Sequence, residues 1–270
     1  MHAIKKTASI TQAMHNIALS KIRKSTELRN NANTFISELD RILEHANASI
    51  SEHRLTRESV VDKKLYVLIT SDRGLAGSYH NQLFKAFLET TKDLKTDQYQ
   101  VFVLGKKGYY FGQKRKLPMV NREIIYNRDD ITTMYFRQYA MLIKDAFMDG
   151  HIDEVVLFYN RYINTATQVV HQKTILPIVL PKKNIVEEKY IYDVDPVLVL
   201  DQTINIFIES SIFSALADSK LSEHAARMIA MKNATDNAND IVERLNTLYH
   251  RARQQEITSE LIDVVNGSNV

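Results

Sequence analysis

The sequence predicts a long antiparallel coiled coil of amino- and carboxyl-terminal helices, with a Rossmann-like three-layer α/β domain inserted between them. Three observations carry that prediction. The stretch from Val197 to Asn266 contains neither Gly nor Pro and lies between Pro196 and Gly267. Proline suits the start of a helix and glycine the position just past its end, so the stretch reads as one unbroken helix of about 105 Å. Residues 1–73 also lack Gly and Pro, whereas six of the seven glycines fall between the two ends. The expected domains are therefore 1–60 and 196–270, two coiled-coil helices, with an α/β body at 61–195.

The first helix is expected from about residue 2 to the mid-fifties. Leu28, Ala32, Phe35, Leu39, Ile42 and Ala46 alternate four and three apart, the spacing of a coiled-coil seam. Within the body, Leu65–Thr70 is a short apolar, β-branched run and reads as a buried strand. A helix at Asn81–Leu94 follows, then a strand at Gln100–Leu104, a helix at Thr132–Met148 and a strand at Glu154–Tyr159. Strands alternating with helices imply a mainly parallel sheet. Thr167–Ile175 and Lys189–Asp193 are expected as a hairpin flanking Pro177 and Pro181. In the last helix Ala234, Ala238, Ile241, Leu245, Leu248 and Ala252 form the expected seam. Leu221, Ala225 and Met228 precede it, and Met231 arrives one residue early, which predicts a slip in register there.

Composition narrows function. The chain has 270 residues, no Cys and a net charge of +3, so disulfides, thiolate sites and a cysteine nucleophile are excluded. No apolar run reaches the length needed to span a membrane. Residues 1–26 carry five Lys or Arg and no acid, a composition shared with transit peptides, but the helical pattern runs through them unbroken.

Chemical motifs are few. Ser71–Gly77 follows a strand and precedes a helix, where α/β domains place phosphate loops. It has only Gly74 and Gly77 and no Lys-Ser/Thr, so it fits neither G-x-G-x-x-G nor G-x-x-x-x-G-K-[ST]. Gly105–Gly108 fails the same templates. The nine histidines form no H-x-x-x-H pair, and no G-x-S-x-G elbow places a serine nucleophile. Glu52–His53 and Glu223–His224 read as solvated or interhelical pairs. Lys106, Lys107, Lys114, Arg115 and Lys116, interleaved with Tyr109, Tyr110 and Phe111, form a basic patch. It suits a solvated face, or docking to an acidic or polar partner, better than single-stranded nucleic acid.

The carboxyl-terminal run Ser222-Glu-His-Ala-Ala-Arg-Met-Ile-Ala-Met-Lys-Asn-Ala-Thr-Asp-Asn-Ala238 is the most specific feature. With Tyr249–Gln254 and Ile257–Gly267 it resembles the signature of the γ subunit of F-type ATP synthase. Ile10–Met14 with Ser20–Lys24 resembles that family's opening helix, and Thr70–Gly77 its first α/β turn. This chain departs from the family at Ala76-Gly77-Ser78-Tyr79 and at Gly267-Ser268. The resemblance implies a non-catalytic central rotor shaft on the cytoplasmic face of a bacterial cell membrane. It implies α and β subunits, ε and the membrane c-ring as partners, and no cofactor, metal, nucleic acid or membrane insertion. It places Met14, Arg227, Gln254, Thr258 and Glu260 at the contacts that transmit torque. Foot docking is expected at Lys106, Lys107 and Lys114. The competing expectation is an α/β nucleotide-dependent enzyme with helical arms.

Overall fold

The computed structural model describes residues 1–47, 61–130, 133–178 and 196–267. Its two ends are helices, α1 at His2–Asn47 and α5 at Pro196–Gly267. Between them lie β1 (Lys64–Ile69), α2 (Tyr79–Thr91), β2 (Tyr99–Leu104) and α3 (Lys106–Arg115). The chain continues through α4 (Thr133–Met148), β3 (Glu154–Tyr162) and β4 (Gln168–Leu176). The bounds of α5 fall on the proline and the glycine that the sequence marks, as expected where φ is fixed at one end and freed past the other. The strand expected at Lys189–Asp193 lies outside the described residues, as does Glu52–His53.

The sheet has the order β2-β1-β3-β4; β1 is parallel to both β2 and β3, and β4 returns antiparallel to β3. Strand alternation divides its side chains between two faces. Tyr66, Leu68, Val101, Val103, Val156 and Phe158 meet Leu83 and Phe87 of α2, with Tyr109 and Phe111 of α3 packed against them. Leu65, Val67, Ile69, Val155 and Leu157 meet α4 and the rod, including Leu39 and Leu43 of α1 and Ile204–Leu216 of α5. The body is thus three layers deep, and the rod itself supplies part of its core.

α1 and α5 run antiparallel. Thr11 Oγ1 and Thr235 Oγ1 share a hydrogen bond of 2.7 Å, His15 Nδ1 lies 3.1 Å from the Met228 carbonyl, and Ser214 Oγ donates to Asn33 Oδ1 at 2.8 Å. Further along, Arg29 Nε lies 2.9 Å from Asp218 Oδ1.

Burial corrects the expected seam. On α1 the protected positions Ile4, Ala8, Thr11, His15, Ala18, Ile22, Ser25, Arg29, Ala32, Ile36, Leu39 and Leu43 alternate four and three throughout, with Met14, Lys21 and Thr26 half-buried beside them. Ile36 is 7% exposed, while the expected seam residue Phe35 is 51% exposed. On α5 the alternation passes through Ala217, Leu221, His224, Met228, Met231, Thr235, Ala238, Val242 and Leu245. There is no slip at Met228–Met231. Ile241 and Leu248 lie outside the seam, exposed. The error has a physical source: many seam positions are polar or small, so apolar spacing points one residue off.

With Thr11 opposite Thr235, the first residues of α1 lie beside Val242–Leu245. The rest of α5 runs past them for roughly 33 Å. Every residue from Thr247 to Leu261 is exposed.

Candidate functional site

The turn after β1 is where an enzyme of this architecture would bind phosphate, so its contents decide one question. A phosphate loop leaves backbone N–H groups at a helix start open to an anion. At the start of α3, the helix that follows β2, residues of this turn fill them. The Asp72 carboxylate accepts hydrogen bonds from the Lys106 N–H at 2.9 Å and the Asn127 N–H at 3.1 Å. The Ser71 carbonyl accepts from Lys107 N at 3.0 Å, and Thr70 Oγ1 accepts from Gly108 N at 2.9 Å. The glycines serve this closure. A Cβ at Gly105, whose φ is +96°, would stand 2.5 Å from the Thr70 carbonyl oxygen, and one at Gly108 would stand 2.7 Å from the Thr70 side chain. The N-terminus of α3 is packed shut.

Ser71 and His80 are the one Ser–His pair in the turn, at 2.7 Å. Ser71 is buried and also donates to the Arg73 carbonyl at 2.8 Å. Burial lowers the His80 imidazole to about 4, so it is neutral at physiological pH. These contacts tie the turn together and leave no exposed nucleophile. Among the described residues no group of His, Asp or Glu is placed to hold a metal ion.

The basic patch is helical, not a turn: Gly108 and Gly112 weaken the helical signal in sequence but let α3 close on Thr70 and Met119. Lys106, Lys107, Lys114, Arg115 and Lys116 are exposed, and Lys106 Nζ lies 5.9 Å from the Tyr110 ring centre.

The structure separates the expected torque residues. Gln254, Thr258 and Glu260 lie exposed on the bare end of α5, and Met14 is half-buried beside the seam residue His15. Arg227 is elsewhere and points inward. Its guanidinium donates to Glu223 Oε1 at 2.7 Å and to the Gly74 carbonyl at 3.2 Å, tying α5 to the turn after β1.

Around Arg227 every residue of α5 from Ala215 to Ala225 is buried, including Asp218, Lys220, Glu223 and His224. Glu223 and His224 are therefore internal, which removes the solvated one of the two expected readings, solvated or interhelical. Asp218 accepts from the Tyr162 N–H at 3.0 Å and pairs with Arg29; burial still holds its carboxyl above the usual range. Tyr79 Oη and Ser219 Oγ share a hydrogen bond of 2.7 Å. Burial pushes that phenol well above its ordinary value. Sequence spacing gave no sign of this cluster, because its partners come from the body.

A long two-helix rod, bare at one end and packed at the other against an α/β body, defines a mechanical or scaffolding class of protein. A family model described as ATP synthase matches residues 1–270. ATP synthase gamma chains from two strains of Xanthomonas campestris pv. campestris are each 32% identical over 98% of this chain and 95% of their own length. The chain belongs to the ATP synthase gamma chain family. The fold is similar to that in the central stalk and c-ring structure of Tetrahymena thermophila mitochondrial ATP synthase. The TM-score there is 0.65, at 24% identity over 84% of this chain and 99% of that one. A rotor structure from Euglena gracilis mitochondrial ATP synthase gives 0.58 at 17% identity, over 95% and 98%.

Proposed function

We propose that this chain is the non-catalytic central shaft of a rotary ATP synthase, coupling rotation of a membrane c-ring to the catalytic cycle of the β subunits. One observation carries the reading furthest: α5 projects beyond its partner helix, a rod end that no other described residue covers. Such an end suits insertion into a ring of α and β subunits. The pairing of α1 with α5, with its unbroken four-three alternation, supports a true antiparallel coiled coil, stiff enough to carry torque. Residues 1–60 and 196–270 serve as the rod and 61–195 as the foot. Met14, Gln254, Thr258 and Glu260 meet the α/β ring, and Lys106, Lys107 and Lys114 of the foot meet ε or the c-ring. Arg227 acts from inside the chain, by holding the turn after β1. The protein works at the cytoplasmic face of a bacterial membrane, and no described helix is long and apolar enough to cross one. The alternative, a nucleotide-dependent enzyme, is disfavoured by the closed N-terminus of α3.

Reconstitution tests the reading. The purified chain alone should show no ATPase activity and should stimulate hydrolysis when added to α and β subunits. Turnover by the chain alone, surviving removal of contaminants, would overturn it. Reversing the charge of Lys106, Lys107 and Lys114 together should weaken membrane attachment in a salt-dependent way while sparing soluble ATPase activity.

A further inference from the structure

The sequence joins the foot to the rod through two chain segments, and two connections alone would let the foot pivot. Apolar packing of the sheet and α4 against α1 and α5 resists that pivot, and polar contacts add to it. Several of the polar contacts between foot and rod converge on one residue. Asp129, in the segment before α4, reaches both rod helices at once. Its carboxylate pairs with Lys21 of α1, with Lys220 Nζ of α5 at 3.1 Å, and lies 3.6 Å from His224 Nε2 of α5. Lys220 also donates to the Asn127 carbonyl, two residues earlier in the same segment. Lys220 and His224 are one helical turn apart on α5, so the two present a single gripping face. Both are almost wholly buried, whereas Asp129 is 42% exposed and Lys21 33%.

We propose that Asp129 is the pin of a torsional joint, locking the α/β foot to both helices of the rod so that torque on the foot reaches the shaft. The assignment rests on the rotor reading above. A buried cation left without its carboxylate is costly, so the lock resists opening more than a surface pair would. His224, with Lys21 and Lys220, holds the Asp129 carboxyl far below the usual range, consistent with a carboxylate kept charged in place. A cleft of about 430 Å³ opens beside the cluster. Of the cations that line it, Lys21, Lys220 and Arg227 are engaged by Asp129, Glu223 and backbone carbonyls, while Lys24, Arg73 and Arg128 are exposed.

The geometry orders the ties. Lys21 is the only one of Asp129's three partners contributed by α1; losing it removes Asp129's link to that helix, whereas losing Asp129 removes its links to both. Other cross-joint contacts include Arg227 to Gly74 and Asp218 to Tyr162 from α5, and Arg29 to the Tyr162 carbonyl at 3.5 Å from α1.

The test uses the assembled complex, with the head fixed, a probe on the foot, and the rotor stalled in one nucleotide state. The angular spread of the probe reads the stiffness between foot and head. Asp129→Asn should widen the angular variance roughly twofold, since it removes the charge from a largely buried cluster. Asp129→Glu should restore it, and Lys92→Ala, which breaks an exposed pair with Glu89, should leave it unchanged. An unchanged variance for Asp129→Asn overturns the joint. If that variant does not assemble, Lys21→Met decides by the same criterion, as it removes only Asp129's tie to α1. Absence of rotation by the unsubstituted complex would instead overturn the rotor reading.

Discussion

Replacing Arg227 with Met separates two roles for one residue. The guanidinium bridges Glu223 Oε1 at 2.7 Å and the Gly74 carbonyl at 3.2 Å, and the side chains of the ion pair are 10% and 5% exposed. Met fills similar volume but leaves Glu223 facing only Lys220, 3.9 Å away. Breaking a buried pair by removing one partner costs about 3–5 kcal/mol. The remaining cation places this case near the lower end, about 3 kcal/mol, and the lost carbonyl contact does not add independently. At roughly 2–4 °C per kcal/mol for a chain of this size, the melting temperature should fall by about 6–12 °C. Circular dichroism melts of the isolated chain, with no partner present, read this directly. Arg227→Lys should lose part of the stability, because an ammonium cannot fork to both acceptors. Glu223→Gln combined with Arg227→Met should recover some, because no orphaned carboxylate remains. A shift below about 2 °C in the isolated chain, together with lost coupling in the complex, would refute the internal tether and return Arg227 to a partner-facing role.

Two further predictions address the seam and the turn. Ile36→Ala should destabilise the isolated chain by about 2–4 kcal/mol and Phe35→Ala by under about 0.5 kcal/mol, measured by denaturant unfolding; the reverse order would restore the seam read from sequence. His80 is lowered to about 4 by burial, whereas the unfolded chain takes up that proton near 6.5. Between those values the unfolded state binds more protons, so stability should fall as pH drops from about 6.5 to about 4, by at most roughly 3 kcal/mol. His80→Gln should flatten that slope in melts across the range; an unaltered slope would place the pH dependence on other groups.

The ends of α5 and the order of β1 to β4 were legible because they depend on local chemistry. Pro196 and Gly267 act through φ, and the Leu65–Ile69 run acts through its own side chains. The closed turn was legible only as a failed template; that Asp72 and Thr70 fill the N-terminus of α3 needs the distance between segments, which sequence does not carry. Arg227 came from a family motif that named its importance without its direction. α3 was hidden by the two glycines that let it pack.

The seam shows the limit most clearly. Apolar spacing finds a seam when burial is driven by apolar area alone. In this rod, Thr11 meets Thr235, His15 meets the Met228 carbonyl, and Arg29 meets Asp218, so polar groups are buried with their partners supplied. Such positions lose little on burial, because each hydrogen bond to water is replaced by one across the helices. Ala8, Ala18, Ala32, Ala217 and Ala238 keep the interface thin, which draws the two backbones close. The larger apolar side chains are displaced outward: Ile10, Ile17, Phe35, Ile241 and Leu248 are all at least 46% exposed. An isolated rod gains nothing from that arrangement. A shaft enclosed by other subunits gains apolar contact on its outer surface while its seam is held by specific pairs, so the same feature that misleads the sequence reading is the one the proposed function requires.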